Sequence, residues 1–350
     1  MRIWDYKLTI LAAVLLCAVF YNQLVPNVQS IPRSQREPSF RDNFYDVTIT
    51  GGRAWIVGYY GTILRSRDEG LSWELQQSGT TEALFRVHFI DDDQGWVAGS
   101  YGTVLHTADG GNSWQKQKTP VEEHLFGLHF INRRQGWVVG SRGSILATED
   151  GGQTWENRSI PEDVILNDVR FIDAANGWII GEFGRIYASK DGGRSWVKQT
   201  SPVEVPLVSG ESRNLFRLVV PDSGSAWAFG LDGMILSTDD GSHWRVSSAS
   251  AGAAGDGKRY HLFSASNVNG KLWAVGERGT VLVSSIHNHQ WSPVGLKAPP
   301  LTLNGIAFAD HVGIIVGNRG AVLRSDNAGR EWKQIRLASN APADALSSIP

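Results

Sequence analysis

Cysteine is nearly absent from this chain of 350 residues. The one copy, Cys17, lies in the N-terminal apolar stretch. The body therefore has no disulfide, no thiol nucleophile and no thiolate metal ligand. A surplus of either charge is missing as well, with 33 Lys and Arg against 35 Asp and Glu. That balance removes the bulk electrostatic case for nucleic acid. The N-terminal apolar run, Leu8 to Tyr21, stops at fourteen residues, short of the about 20 that a membrane-spanning helix needs. Aromatics are not scarce: there are 14 Trp beside 39 Gly. That pair suits short strands joined by tight turns and argues against disorder.

Arg2 and Lys7 flank the start of the apolar run, and a basic start with a run of this length reads as the core of a secretory signal. Leu24 and Val25 extend it toward a tilted anchor, across Asn22 and Gln23. Val28-Gln29-Ser30 offers a cleavage site, and Leu16 before Cys17 departs from a lipoprotein signal. Cleaved or anchored, the segment 1–25 places the rest of the chain outside the cytoplasm, in a periplasm or thylakoid-lumen-like space. If uncleaved, it associates the protein with a membrane. Residues 26–41, with Pro26, Pro32 and Pro38, read as a linker. Residues 42–337 form the body, and the Ala/Ser/Pro-rich stretch 338–350 reads as a flexible tail.

Thirteen of the tryptophans fall on a repeat. Trp73, Trp114, Trp155, Trp196, Trp244, Trp291 and Trp332 close one phrase, at spacings of 41, 41, 41, 48, 47 and 41 residues. Trp55, Trp96, Trp137, Trp178, Trp227 and Trp273 sit in a second phrase 17 or 18 residues earlier, and Ile314 takes that place in the seventh copy. A fixed period of this length means one supersecondary unit copied many times. Within the unit, an alternating segment such as Phe85–Ile90 is followed by three shorter strand signals separated by Gly- and Asp-rich turns. Four strands per unit and seven units predict an all-β, seven-bladed β-propeller of antiparallel blades, whose radial closure removes open sheet edges. The repeat tryptophans are then inserts between blades.

The closing phrase has the form Ser/Thr-x-Asp-x-Gly-x-Ser/Thr-Trp at Ser66–Trp73, Thr107–Trp114, Thr148–Trp155 and Ser189–Trp196. Asp68, Asp109, Asp150 and Asp191 are expected to accept N–H groups within their own hairpins. The same frame selects Asp239 in the fifth copy, where His243 replaces the hydroxyl residue. The sixth copy loses the Asp and the Gly, and the seventh carries Asn327. This is the Asp-box, or BNR repeat. Its carboxylates read as turn scaffold.

The joint phrase Gly-Trp-x-x-Gly-x-x-Gly-x-x-Leu-x-Ser/Thr-x-Asp-Gly-Gly-x-Ser/Thr-Trp runs through Gly95–Trp114 and Gly136–Trp155, and through Gly177–Trp196 with Tyr187 for Leu. In this it resembles the photosystem II stability/assembly factor family, over about Phe44 to Ile335. The resemblance implies a non-enzymatic, extracytoplasmic propeller without a cofactor, a monomer of one ring, that binds a segment of a client membrane protein and assists complex assembly. Such propellers also occur in bacteria without photosystem II, so the client stays open. The family presents an arginine-bearing face. In this chain the residue before the second glycine of each Gly-x-x-Gly hairpin is Tyr60, Tyr101, Arg142, Phe183, Asp232, Arg278 and Arg319. The arginines and aromatics among them are candidate partner-binding residues. Two connections are longer than the rest, Thr200–Asn214 and Ser247–Tyr260. They join a fourth strand to the next first strand, on the side of those hairpins. The first adds Arg213 to the candidates, and long loops are where a propeller carries function.

The alternative is an Asp-box glycoside hydrolase of the sialidase kind, or a glycan-binding propeller. A sialidase needs an arginine triad, a tyrosine nucleophile and an acid/base carboxylate. Arg86, Arg170 and Arg217 on first strands are able to converge on the channel, whereas Ile31-Pro32-Arg33 has the wrong order for the usual N-terminal motif. His287 and His289 stand two apart without a third ligand nearby, which reads as a turn and not a metal site. His88 and His129 share one strand position and read as structural.

Overall fold

The structure is a computed structural model that describes residues 42–337, except 208, 210, 222–223, 248–257, 287–289 and 297–300. The signal or anchor, the linker up to residue 41, the tail and the His287/His289 pair lie outside the described residues. Among the described residues no helix is long and apolar enough to cross a membrane.

Seven four-stranded antiparallel sheets form in chain order. They span 44–76, 84–117, 125–157, 166–198, 215–246, 262–293 and 303–334, numbered here as blades 1 to 7. Each blade is a simple meander, first strand paired to second, second to third, third to fourth. First strands of neighbouring blades pack on each other around the axis, blade 7 against blade 1 included. The seventh blade is built wholly from its own strands, so the ring closes without strand exchange. Side chains and turns make the seam instead. Asn304 Nδ2 donates to Phe44 O (2.7 Å), Gly320 N to Asp42 O (2.9 Å), and Arg324 Nε to Glu69 O (2.8 Å).

The apolar cores lie between blades. Trp55, Val57 and Ile63 of blade 1 cluster with Leu84, Val87, Phe89, Val97 and Leu105 of blade 2. The closing core joins Ile314, Val316 and Val322 to Phe44, Val47 and Ile56. The two tryptophan phrases turn out to be one interblade device. Trp96 stacks on Phe130 of the next blade at 3.7 Å between centroids, and Trp155 meets the same ring edge-on at 6.0 Å. Trp55, Phe89 and Trp114 repeat the arrangement, as do Trp137, Phe171 and Trp196. The indole N–H then reaches a turn carbonyl of the following blade: Trp55 to Gly110, Trp96 to Gly151, Trp137 to Gly192, Trp178 to Gly241, at 2.8–3.2 Å. The glycine of the Gly-Trp phrase has a packing reason. A Cβ on Gly136 would stand 2.4 Å from the ring of Phe130.

The Asp turns hold themselves. Asp150 accepts Thr148 Oγ1 (2.8 Å), Thr154 N (2.9 Å) and Thr154 Oγ1 (2.7 Å). Asp68, Asp109 and Asp191 accept the same set. The hydroxyl and N–H of Ser195 hold Asp191 down at about 2, against its ordinary 3.8. In the seventh blade Asn327 Oδ1 accepts from Ser325 and Glu331 N. The fifth blade corrects the sequence frame. Ala226 pairs with Thr238, as Gly177 pairs with Ser189 in blade 4, so its turn is one residue shorter. Asp240, not Asp239, accepts Thr238 Oγ1 and His243 N. Asp239 faces outward and pairs with Arg245 at 2.6 Å.

Candidate functional site

The two faces of the ring are built differently. One carries the Asp turns. The other carries the hairpins between second and third strands, together with the connections between blades. Their adjacency is direct: Gly102 N donates to Glu123 O, Gly143 N to Val164 O, Gly279 N to Leu301 O. The start of the long connection after blade 4 lies on this face too, with Val205 N bonded to Phe183 O. Most of the second long connection lies outside the described residues.

Each hairpin is a tight turn whose tip residue is left-handed, from φ 51° at Tyr101 to 58° at Phe183 and Arg319. A non-glycine residue there costs on the order of 1 kcal/mol or more. All seven blades nonetheless keep a side chain at the tip, which makes the side chains themselves informative. Arg142, Arg278 and Arg319 are exposed, as are Asp232 and Tyr101 (58%). Arg142 stands 3.9 Å from Glu123, and Arg278 lies 5.7 Å over the ring of Tyr260. Arg213 is half-exposed and 3.4 Å from Glu211. Two aromatic tips depart from the expected role. Tyr60 is buried at 1% exposure, and Phe183 is half-buried against the core between blades 3 and 4. The Phe183 ring packs on that core, and Tyr101 is the aromatic tip that stands exposed.

Charged side chains gather on the inner strands. Seven equivalent first-strand positions carry Asp46, Arg86, Gly127, Asp168, Arg217, Ser264 and Gly305, each just past a bulge. Asp46 and Asp168 are fully buried. Arg86 and Arg217 each stand 3.6–3.9 Å from both carboxylates, and Arg170 is 3.7 Å from Asp168. Asp46 also accepts Val87 N, and Asp168 accepts Leu218 N. Arg86 donates to Phe126 O and Asn167 O, and Arg170 to Leu128 O. Burial raises the Asp46 pKa, opposed chiefly by Arg86. The three arginines do converge: Arg86 and Arg170 donate to carbonyls of the ring, and all three stand within 4 Å of its own carboxylates, while the buried Nε and Nη1 of Arg217 make no hydrogen bond. His88 and His129 lie one layer further along, 5.0 Å apart, bonded to Phe130 O and Phe171 N of the following blades. Burial holds His88 at about 4, with Arg170 adding to the effect, and pushes His129 well down.

Sequence reasoning missed one set of residues. In every blade the first strand bulges, so that one extra residue faces the mouth of the channel on the hairpin side. These residues are Tyr45, Phe85, Phe126, Asn167, Phe216, Phe263 and Asn304. The signal was present as an aromatic in five of seven aligned positions. The bulge hid it, because simple alternation assigns Phe85 to a regular strand.

These features define a closed seven-bladed β-propeller with a self-bonded Asp-turn face and a face of arginine- and aromatic-bearing hairpins. The chain belongs to the family described as photosynthesis system II assembly factor YCF48, which it matches over residues 25–118, 111–200 and 159–258. Comparison with the curated proteins gives no match. Among solved structures it is similar to a YCF48 bound to a D1 peptide, at 20% identity and TM-score 0.65, covering 86% of this chain and 99% of that one. It is also similar to YCF48 from Cyanidioschyzon merolae, at 17% identity and TM-score 0.65, covering 83% and 97%. Virginiamycin B lyase from Staphylococcus aureus shares the fold at 11% identity and TM-score 0.68, covering 81% and 94%. At these identities the likenesses speak for the fold alone.

Proposed function

We propose that this protein is an assembly factor that binds a polypeptide segment of a client membrane protein on its hairpin face and performs no covalent chemistry. Membership of the YCF48 family supports the reading, and so does the relative bound to a D1 peptide. The observation that carries it is the exposure of Arg142, Arg278 and Arg319 on one face, each on a left-handed tip that glycine would fill at lower cost. Arginine suits interfaces because its planar fork recognises carboxylates and backbone carbonyls while its stem packs. An extracytoplasmic location, through the basic-then-apolar segment 1–25, and a monomeric ring complete the proposal. Against the alternative of an Asp-box hydrolase, Arg86, Arg170 and Arg217 each stand within 4 Å of a buried carboxylate of the ring itself.

The test is binding of a fluorescently labelled D1 peptide to the intact protein and to the variant Arg142→Gln/Arg278→Gln/Arg319→Gln. At least a tenfold loss of affinity with an unchanged melting temperature is expected. Equal affinity, or turnover of a fluorogenic sialoside, contradicts the proposal. Protease protection of the protein in sealed cells or vesicles tests its location.

A further inference from the structure

The bulge residues form two aromatic arcs at the channel mouth. In blades 1 to 3, Tyr45 and Phe85 are 5.7 Å apart and Phe85 and Phe126 are 5.1 Å apart, between ring centroids. Tyr101 extends this arc through His124, at 4.8 Å. In blades 5 and 6, Phe216 and Phe263 are 5.5 Å apart. Asn167 and Asn304 separate the arcs, each bonded to the backbone of the following blade, at Leu215 O and Phe44 O.

These rings are not core. All five bulge aromatics are half-buried, and none belongs to the seven apolar clusters between blades. At the other end of the first strands of blades 2 to 4, the corresponding Ile90, Ile131 and Ile172 do pack into those clusters. A concentrated apolar patch rimmed by polar groups marks an interaction site. The patch has a floor, because the buried Asp46, Arg86, Asp168 and Arg217 lie one residue below it.

The surroundings select the occupant. Arg319 N donates to Asn43 Oδ1, two residues before Tyr45, which seats an exposed arginine tip at the edge of the first arc. Arg278 occupies the tip of the adjacent blade, and Arg142 the far end of the arc at blade 3. We infer that the first arc is an anchor pocket for one large apolar side chain of an acidic peptide, whose carboxylates lie over Arg278 and Arg319. This deepens the proposed client binding and rests on it. It adds what the arginines alone do not give: a fixed position for the bound segment and a preference for an aromatic or large aliphatic residue within it.

Selection of a random twelve-residue peptide library on the intact protein tests this. Enriched peptides are expected to combine acidic residues with one Phe, Trp, Tyr or Leu. They should bind the intact protein at least tenfold more tightly than Phe85→Ala/Phe126→Ala, whose melting temperature should be unchanged. Phe85→Leu/Phe126→Leu keeps the volume and gives a second, folded comparison with an intermediate loss. Peptides that are acidic but lack an apolar residue, and that lose affinity in the arginine variant but not the phenylalanine variant, overturn the anchor while leaving the binding face intact. Absence of any enriched peptide overturns both. Binding of a xyloglucan oligosaccharide to the arc, with no peptide discrimination, replaces the peptide by a glycan and also overturns the inference.

Discussion

The Asp-turn face and the hairpin face are made by the same seven repeats, yet they use their groups in opposite ways. On the first, carboxylates, hydroxyls and indole N–H groups bond to turns of the same or the next blade. On the second, the repeated backbone is a frame, and the residues at equivalent positions differ from blade to blade: Tyr, Tyr, Arg, Phe, Asp, Arg, Arg at the tips. Regularity in this chain marks scaffold. Departure from regularity on an otherwise identical frame distinguishes the face proposed for recognition.

The largest expected effect breaks the scaffold side. Trp96 is fully buried, stacked on Phe130 and bonded to Gly151 O. Trp96→Ala should cost about 3–5 kcal/mol of stability, read by chemical denaturation. Peptide affinity per folded molecule should hold. The buried histidines come next. His88 is neutral in the native ring at about 4 and titrates near 6.5 when unfolded. Its folded pKa is lowered, so between these values the unfolded chain binds more protons and stability falls as pH falls. Roughly 3 kcal/mol should be lost from pH 7 to pH 4 through this site, with Arg170, His129 and Asp46 as its charged or titratable neighbours. A His88→Gln variant should show a flatter acid limb in pH-dependent denaturation.

A smaller effect sharpens the fifth-blade correction. Asp240→Ala should lower stability measurably, because turn N–H and hydroxyl groups lose their acceptor. Asp239→Ala, with its one exposed partner Arg245, should stay within about 0.5 kcal/mol of the parent. Equal costs would restore the original frame. The smallest effect lies on the hairpin face. Arg319→Gly relieves a left-handed arginine and should leave stability within about 0.5 kcal/mol while weakening peptide binding.

Most of the architecture was legible in the sequence because two tryptophans per repeat are too bulky to be placed at random. Blade number, strand number per blade, and the placement of turns and long connections on opposite faces follow from their spacing. The site was legible only in part. Arg142, Arg278 and Arg319 stand exposed where the Gly-x-x-Gly phrase puts them, but Tyr60 occupies an equivalent position and is buried. Exposure of a tip side chain depends on whether the seam beneath it needs filling, and that is a property of the neighbouring blade. Asp240 was displaced by a one-residue deletion that keeps a carboxylate in both frames. The aromatic arcs were hidden by a bulge, which shifts the facing of one residue without disturbing the pattern around it.

We assign recognition to the hairpin face and stability to the Asp-turn face. Peptide affinity and unfolding free energy, measured together for Arg142→Gln/Arg278→Gln/Arg319→Gln and for Asp109→Ala/Asp150→Ala, test this division. The first variant is expected to lose at least tenfold in affinity at unchanged stability, and the second about 2 kcal/mol of stability at unchanged affinity. Loss of affinity in the aspartate variant with none in the arginine variant would contradict it.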